Sequence, residues 1–236
     1  MTAKKQVDGI VMLHNLYTRL EDVIPMPDSG TRVELDLGCG DGEFALALAE
    51  RRPDVYVIAA DMLLGRVRKV QKRVLRDRMI NLHVLKSESR VLISRTIPDA
   101  FVDRVNLLCP DPWPKAKHRC HRLITSDIMM QFARILKPDG VFHFSTDNAE
   151  YLEIADRTVA ESGLFAPSDL AHRRRRGHQD RIRAALGVRR QDRDAPGLAE
   201  TLISPLRPRK KASKRPGAGR PPEFFPLFLE NFGKTT

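Results

Sequence analysis

Two stretches of this 236-residue chain bring together residue types that can do chemistry. The first is Val33-Glu34-Leu35-Asp36-Leu37-Gly38-Cys39-Gly40-Asp41-Gly42, an apolar run closed by an acid and three alternating glycines. Glycine permits positive φ and close approach of a ligand. A turn at the carboxyl end of a strand is where open α/β sheets bind ligands. The dinucleotide fingerprint would need its third glycine where this chain has Glu43, and a carboxylate at Asp36 would repel a pyrophosphate. That carboxylate suits a cationic amino-acid moiety such as that of S-adenosylmethionine. Asp61, after the next apolar run, could accept hydrogen bonds from a ribose diol, which selects a nucleoside rather than one cofactor. Glu88, after the third run, falls near where an adenine amino group would lie. The competing reading is a purely structural glycine turn.

The second stretch is Pro110-Asp111-Pro112-Trp113-Pro114, followed by Lys115, Lys117, His118, Arg119, His121 and Arg122. Prolines stiffen a loop at the same edge of the sheet, and a carboxylate and the single tryptophan sit beside a basic run. Trp113 could stack on a base, a contact worth roughly 1–3 kcal/mol, or anchor the loop or core. The basic run could hold phosphates. The cluster has too few acids for a metal site. The cysteines, Cys39, Cys109 and Cys120, are odd in number and lack CxxC spacing, so neither a disulfide framework nor zinc is expected. A reducing cytoplasm is the simplest compartment. No apolar run approaches the roughly 18–20 residues of a membrane span, and the N-terminus does not read as a signal peptide.

The elements that must position these residues alternate. Val33–Leu37, Val55–Ala60, Leu82–Leu85, Arg104–Cys109 and Val141–Ser145 read as strands. Glu43–Arg51, Leu63–Arg78, Thr125–Leu136 and Asn148–Gly163 read as helices, the third closed by a Lys137-Pro138-Asp139-Gly140 turn. Such alternation implies right-handed crossovers and a mostly parallel central sheet flanked by helices. Residues 1–30 read as an N-terminal extension, 31–170 as the cofactor-binding core, and 171–236 as a basic insertion with a closing strand. His172–Arg176, Arg189-Arg190 and Pro205–Pro222 look like loops or partial disorder, and Glu223–Leu229 like a late strand. The net charge is +11, and residues 171–220 hold 16 of the 41 Lys+Arg but only 4 of the 30 Asp+Glu. The rest of the chain is nearly neutral. A segment of that kind favours polyanions through counterion release, or is a solvated surface.

Asp36-Leu37-Gly38-Cys39-Gly40-Asp41-Gly42, Pro110-Asp111-Pro112-Trp113-Pro114-Lys115 with Arg122-Leu123, and Ser145-Thr146-Asp147-Asn148 together resemble the bacterial tRNA (guanine-N7-)-methyltransferases over about residues 31–165. The resemblance implies an α/β class I methyltransferase (Rossmann-like) fold, S-adenosyl-L-methionine as cofactor and tRNA as partner, with no metal and no membrane. It implies methylation of a variable-loop guanine at N7. By it, Asp36, Asp61, Glu88 and Asp111 match cofactor-binding acids, Asp111 is also the catalytic position, and Lys115 and Asp147 match substrate contacts. The glycines Gly38 and Gly40 complete the cofactor set, and Trp113, Arg119 and Arg122 the substrate set. The family more usually has Glu at the first two acid positions and Asp or Asn at the third. Its Thr-x-x-Glu segment is missing, since Thr201-Leu202-Ile203-Ser204 lacks the acid. Methylation of another RNA, and non-catalytic RNA binding on the same scaffold, are the alternatives.

Overall fold

The computed structural model describes residues 6–7, 10–12, 18–167 and 199–206. The described strands form one sheet in the order β1-β2-β5-β4-β3-β6-β7-β9-β8. These are β1 (Gln6–Val7), β2 (Ile10–Met12), β3 (Arg32–Leu37), β4 (Val55–Asp61), β5 (Leu82–Lys86), β6 (Val102–Leu108), β7 (Leu136–Thr146), β8 (Phe165–Pro167) and β9 (Ala199–Pro205). From β2 to β7 all neighbours are parallel, and β1, β9 and β8 add antiparallel edges. Strand order runs outward from β3 in both directions, through β4 and β5 on one side and β6 and β7 on the other. That places a topological switch point between β3 and β6, where open α/β sheets leave a crevice at the strands' carboxyl ends.

β4 is buried at all seven positions, as a central parallel strand covered on both faces should be. Helices α1 (Glu43–Arg51) and α2 (Leu64–Arg76) cover one face. Their Ala45, Leu46, Ala49, Val67, Val70 and Val74 join Val55, Val57, Ala59, Leu82 and Val84 in one apolar cluster. A short α3 (Ser89–Val91), continued by a π-helical turn over Leu92–Thr96, serves the other face with α4 (Ser126–Ile135) and α5 (Ala149–Ser162). There Phe132 stacks on Phe142 with ring centroids 4.5 Å apart, amid Leu35, Leu37, Val105, Leu107 and Phe144.

The opposite faces of β3, β6 and β7 are polar although buried. Arg32 Nε donates to Glu34 (3.0 Å), Asn106 Nδ2 donates to the same carboxylate (3.4 Å), and Asn106 Oδ1 accepts from Arg104 Nε (3.0 Å). His143 Nδ1 lies 3.2 Å from Asn106 Oδ1. Asp36 lies at the carboxyl end of this polar row.

One expectation needs correction. The Lys137–Gly140 turn does not separate α4 from the next strand, because β7 begins at Leu136. Val102 pairs with Leu136 and Arg104 with Val141, so the four residues form a bulge inside the strand. A Cβ on Gly140 would lie 2.9 Å from Lys137 O, which is why glycine ends the bulge. Thr201–Ser204 belongs to β9, antiparallel to β7. Residues 1–30 include β1 and β2, and bury Ile10, Leu20 and Ile24 in the two apolar clusters. His172–Arg176, Arg189-Arg190, 207–222 and 223–229 lie outside the described residues.

Gly42 shows how tightly the glycine turn is packed. It caps α1 at φ +79, and a Cβ there would stand 2.5 Å from Val70 Cγ2 on α2. Gly42→Ala should cost about 3 kcal/mol, the sum of left-handed strain and overpacking. Urea unfolding measures this, and an unchanged midpoint would refute the packing argument.

Candidate functional site

The glycine turn carries its ligand chemistry through what it leaves free. Gly38 N and Cys39 N both donate to Ala60 O (2.8 and 2.9 Å), Gly40 N donates to Asp61 Oδ2 (3.0 Å), and Gly42 N donates to Cys39 O (2.9 Å). A phosphate cradle works by pointing such amides at the anion. Here they are spent on the end of β4 and on the turn itself, so the turn is not built for a pyrophosphate. Gly38 (φ +76) and Gly40 (φ +58) need glycine for their backbone conformation, and a Cβ on either would meet nothing within 4 Å. Open space therefore lies over the turn.

Asp36 faces that turn from the last half of β3. It is buried, and its Oδ2 has no hydrogen-bond partner among the described residues. Burial, then the charges of Asp61 and Glu34, push its carboxyl up to about 7. An orphaned, partly neutralised acid beside an open glycine turn fits a cationic ligand that would restore its charge and its hydrogen bond. Burial, with Asp36 and Asp61 nearby, also drives the Cys39 thiol far up, which makes it a poor nucleophile.

The other two acids have structural duties as well. Asp61 accepts from Gly40 N and from Leu63 N (2.7 Å), and Arg66 Nη1 stands 3.7 Å from it. Its lone pairs beyond those two amides are the ones a ribose diol would use. Glu88 caps α3, its two oxygens accepting from Arg90 N (3.0 Å) and Val91 N (2.9 Å), while the residue itself is exposed. Asp36, Asp61 and Glu88 thus occupy the carboxyl ends, or the residues just beyond, of β3, β4 and β5.

Across the switch point, β6 ends at Leu108 and the chain turns sharply. Cys109 (φ +46) and Trp113 (φ +44) hold left-handed conformations on either side of Asp111. Cys109 N donates to Ser145 O (2.7 Å), which ties this loop to the end of β7. Asp111 and Asp147 are both exposed and form no hydrogen bond with another described residue. They follow adjacent strands, since Leu108 pairs with Ser145. Lys115 and Lys117 are exposed and unpaired among the described residues, whereas Arg119 Nη2 meets Glu150 Oε1 at 2.9 Å. The Trp113 ring packs on His121 and His118, with centroids 4.9 and 5.8 Å away.

Arg122, expected among the substrate contacts, is enclosed by protein groups. Its side chain is 5% exposed, and its guanidinium binds Pro112 O, Trp113 O and Glu150 while lying 5.1 Å over the Tyr151 ring. Residues outside the expected set complete this region. Asn148 Oδ1 accepts from Tyr151 N (2.8 Å) and caps α5. The fully buried Tyr151 hydroxyl accepts from Leu123 N and Ile124 N. An asparagine before a helical run was a readable cap signal; the roles of Tyr151 and Glu150 had none. Among the described residues, no group of His, Cys, Asp or Glu could hold a metal ion, and no helix is long and apolar enough to cross a membrane.

A doubly wound parallel sheet, switched between β3 and β6, with an acid-led glycine turn whose amides are internally satisfied, defines the α/β class I methyltransferase fold. A family model described as "Putative methyltransferase" matches residues 31–181. The chain belongs to that methyltransferase family. It is 34% identical over 144 residues to a tRNA (guanine-N(7)-)-methyltransferase of Caulobacter sp. (strain K31), covering 61% of this chain and 63% of that one. With the enzyme of the same name from Corynebacterium diphtheriae it shares 33% identity over 52% of its own length and 48% of the relative's. The chain therefore spans about half to just under two thirds of the curated relatives it matches. The crystal structure of the 16S rRNA methyltransferase KamB superposes with a TM-score of 0.51 at 17% identity, over 81% of this chain and 99% of the other, a likeness of fold.

Proposed function

We propose that this protein transfers a methyl group from S-adenosylmethionine to N7 of a tRNA guanine, the variable-loop guanine in particular. The observation that carries the reading is the pairing across the switch point. On one side lies the orphaned, buried Asp36 with its open glycine turn. On the other stand the exposed Asp111 and Asp147 beside the basic loop that follows Pro114. The names of the relatives support tRNA as the polyanion and guanine N7 as the acceptor.

When bound, S-adenosylmethionine supplies a methyl group made electrophilic by its sulfonium. Guanine N7 offers an in-plane lone pair and no proton. Acceptance of that methyl group would leave positive charge on the purine for nearby side chains to balance. No general base is needed at the nucleophile, so the protein's task is alignment and electrostatics. Asp36 would hold the cofactor's cationic amino-acid moiety, Asp61 its ribose and Glu88 its adenine. Asp111 would accept hydrogen bonds from guanine or cofactor donors and steady the charge passing to the purine. Asp147 would read donors on the Watson–Crick edge, and Trp113 would stack on a base. Lys115 and Arg119 would hold the RNA backbone. The three free cysteines suit a reducing cytoplasm.

Incubation with labelled S-adenosylmethionine and total tRNA, followed by nucleoside identification, tests the reading. The expected product is 7-methylguanosine in the variable loop; label in any other nucleoside would overturn it. Residues 171–220 add non-specific affinity in this reading. Because β9 lies within that span, the suitable variant replaces Arg173–Arg176 with glutamine rather than deleting the segment. The logarithmic salt dependence of tRNA binding should then become shallower by up to about 3–4. An unchanged slope would make the segment a solvated surface.

A further inference from the structure

The proposed transfer requires Asp111 and Asp147 to keep a fixed separation, yet they sit on different loops. Beyond the Cys109 N–Ser145 O hydrogen bond at the strand ends, Arg122 joins the loops through its side chain. Its Nε donates to Pro112 O at 2.7 Å and its Nη2 to Trp113 O at 3.4 Å, gripping the two carbonyls that follow Asp111. The same Nη2 reaches Glu150 Oε1 at 3.3 Å, on the first turn of α5, three residues after Asp147. The Tyr151 ring covers the guanidinium, and Arg90 Nη2 donates to Arg122 O at 2.6 Å from beside the cap of α3. Glu150 Oε1 is shared with Arg119, whose side chain is 52% exposed against 5% for Arg122. Two arginines on one carboxylate thus have different surroundings, one facing solvent and one enclosed.

We propose that Arg122, held by Glu150, is a positioning residue that locks the Asp111–Trp113 loop onto the first turn of α5 and so sets the spacing of the two substrate-side acids. The inference rests on the methyl-transfer reading above and replaces the expectation that Arg122 touches RNA. A guanidinium can serve two carbonyls, a carboxylate and an aromatic face together because its donors form a planar fork. An ammonium keeps the charge but cannot keep that set.

Arg122→Lys therefore separates the roles. A phosphate contact would survive it with little change, since both side chains are cations. A lock would not, and misplacement of a reacting group by about 1 Å costs on the order of 100-fold in rate. Trp113 is the sole tryptophan, so its fluorescence and its quenching by acrylamide report the loop without any substrate. In Arg122→Lys the quenching should rise, kcat should fall about 10- to 100-fold, and the Kd for tRNA should stay within about twofold of the parent's. Glu150→Gln, at a half-exposed position, should show the same pattern more weakly and guards against a failure of the first variant to fold. A raised Kd with unchanged kcat and unchanged quenching would overturn the lock, and so would raised quenching with unchanged kcat. If the parent protein transfers no methyl group, the proposed function falls. The quenching of the two variants still decides whether Arg122 locks the loop.

Discussion

Asp36→Asn should weaken S-adenosylmethionine binding about 10- to 100-fold and yet make the ligand-free protein more stable at pH 8. Both effects come from one buried oxygen. Asp36 Oδ2 lacks a partner in the described protein, while burial and the charges of Asp61 and Glu34 lift the carboxyl from an ordinary 3.8 to about 7. A folded-state value raised above the unfolded one means a stability contribution fully present below about 4. It is lost as pH rises towards and through 7. The loss amounts to at most roughly 4 kcal/mol. Asparagine has no proton to lose, so the thermal midpoint of Asp36→Asn should exceed the parent's at pH 8, with a smaller gap at pH 5. Binding changes the other way. A cationic ligand favours the ionised acid, and a charge-assisted hydrogen bond is worth about 1.5–3 kcal/mol. Affinity in the parent should therefore fall as pH drops below 7, and calorimetry at pH 6 in two buffers of different ionisation enthalpy should detect proton release. A variant that is less stable at pH 8, or binding that ignores pH between 6 and 8, would show that Asp36 is not the cation's partner.

The sequence made some parts of this molecule readable and hid others for identifiable reasons. Helix α1 appears over the expected Glu43–Arg51, because a strand, a glycine turn and an amphipathic run define it locally. Asp36, Asp61, Glu88, Asp111 and Asp147 fall at the carboxyl ends of five successive parallel neighbours, or just beyond, because chain order and sheet order are linked by the right-handed crossover. What local pattern cannot express was missed. β1 and β2 are only two and three residues long. β9 exists through its pairing with β7, which lies more than fifty residues earlier, so Thr201–Ser204 carried no signal of its own. A proline and glycine between α4 and the next apolar run read as a turn, and the structure folds them into a bulge. The polar row from Glu34 to His143 breaks the expected apolar strand pattern, and its satisfaction depends on side chains from three strands. Arg122 shows the same limit at the site. Within a run of basic residues nothing distinguishes the enclosed one from those in solvent until α5 is placed against it.

Asp111→Ala should reduce single-turnover methyl transfer about 100- to 1,000-fold while leaving the Kd for tRNA within about threefold, the size expected for removing one preorganised electrostatic group. Asp111 is exposed and makes no hydrogen bond to another described residue, so its truncation should shift folding stability by no more than about 0.5 kcal/mol. Its backbone is held independently, by Arg122 on the carbonyls of Pro112 and Trp113 and by Cys109 N on Ser145 O, so the loop should keep its shape. Loss of rate then reports the carboxylate alone. Since N7 carries no proton, Asp111 is not needed as a base. Asp111→Asn separates charge from hydrogen bonding. It keeps an acceptor oxygen but cannot balance the positive charge that moves onto the purine. Its rate should lie between those of the parent and Asp111→Ala, within about 10-fold of the parent if acceptance dominates and close to the alanine variant if charge does. Asp147→Ala should behave differently, raising KM for tRNA more than it lowers kcat, because recognition of the guanine edge acts before and during transfer alike. Equal losses of rate and tRNA affinity in Asp111→Ala would assign Asp111 to binding and leave the methyl transfer to alignment alone.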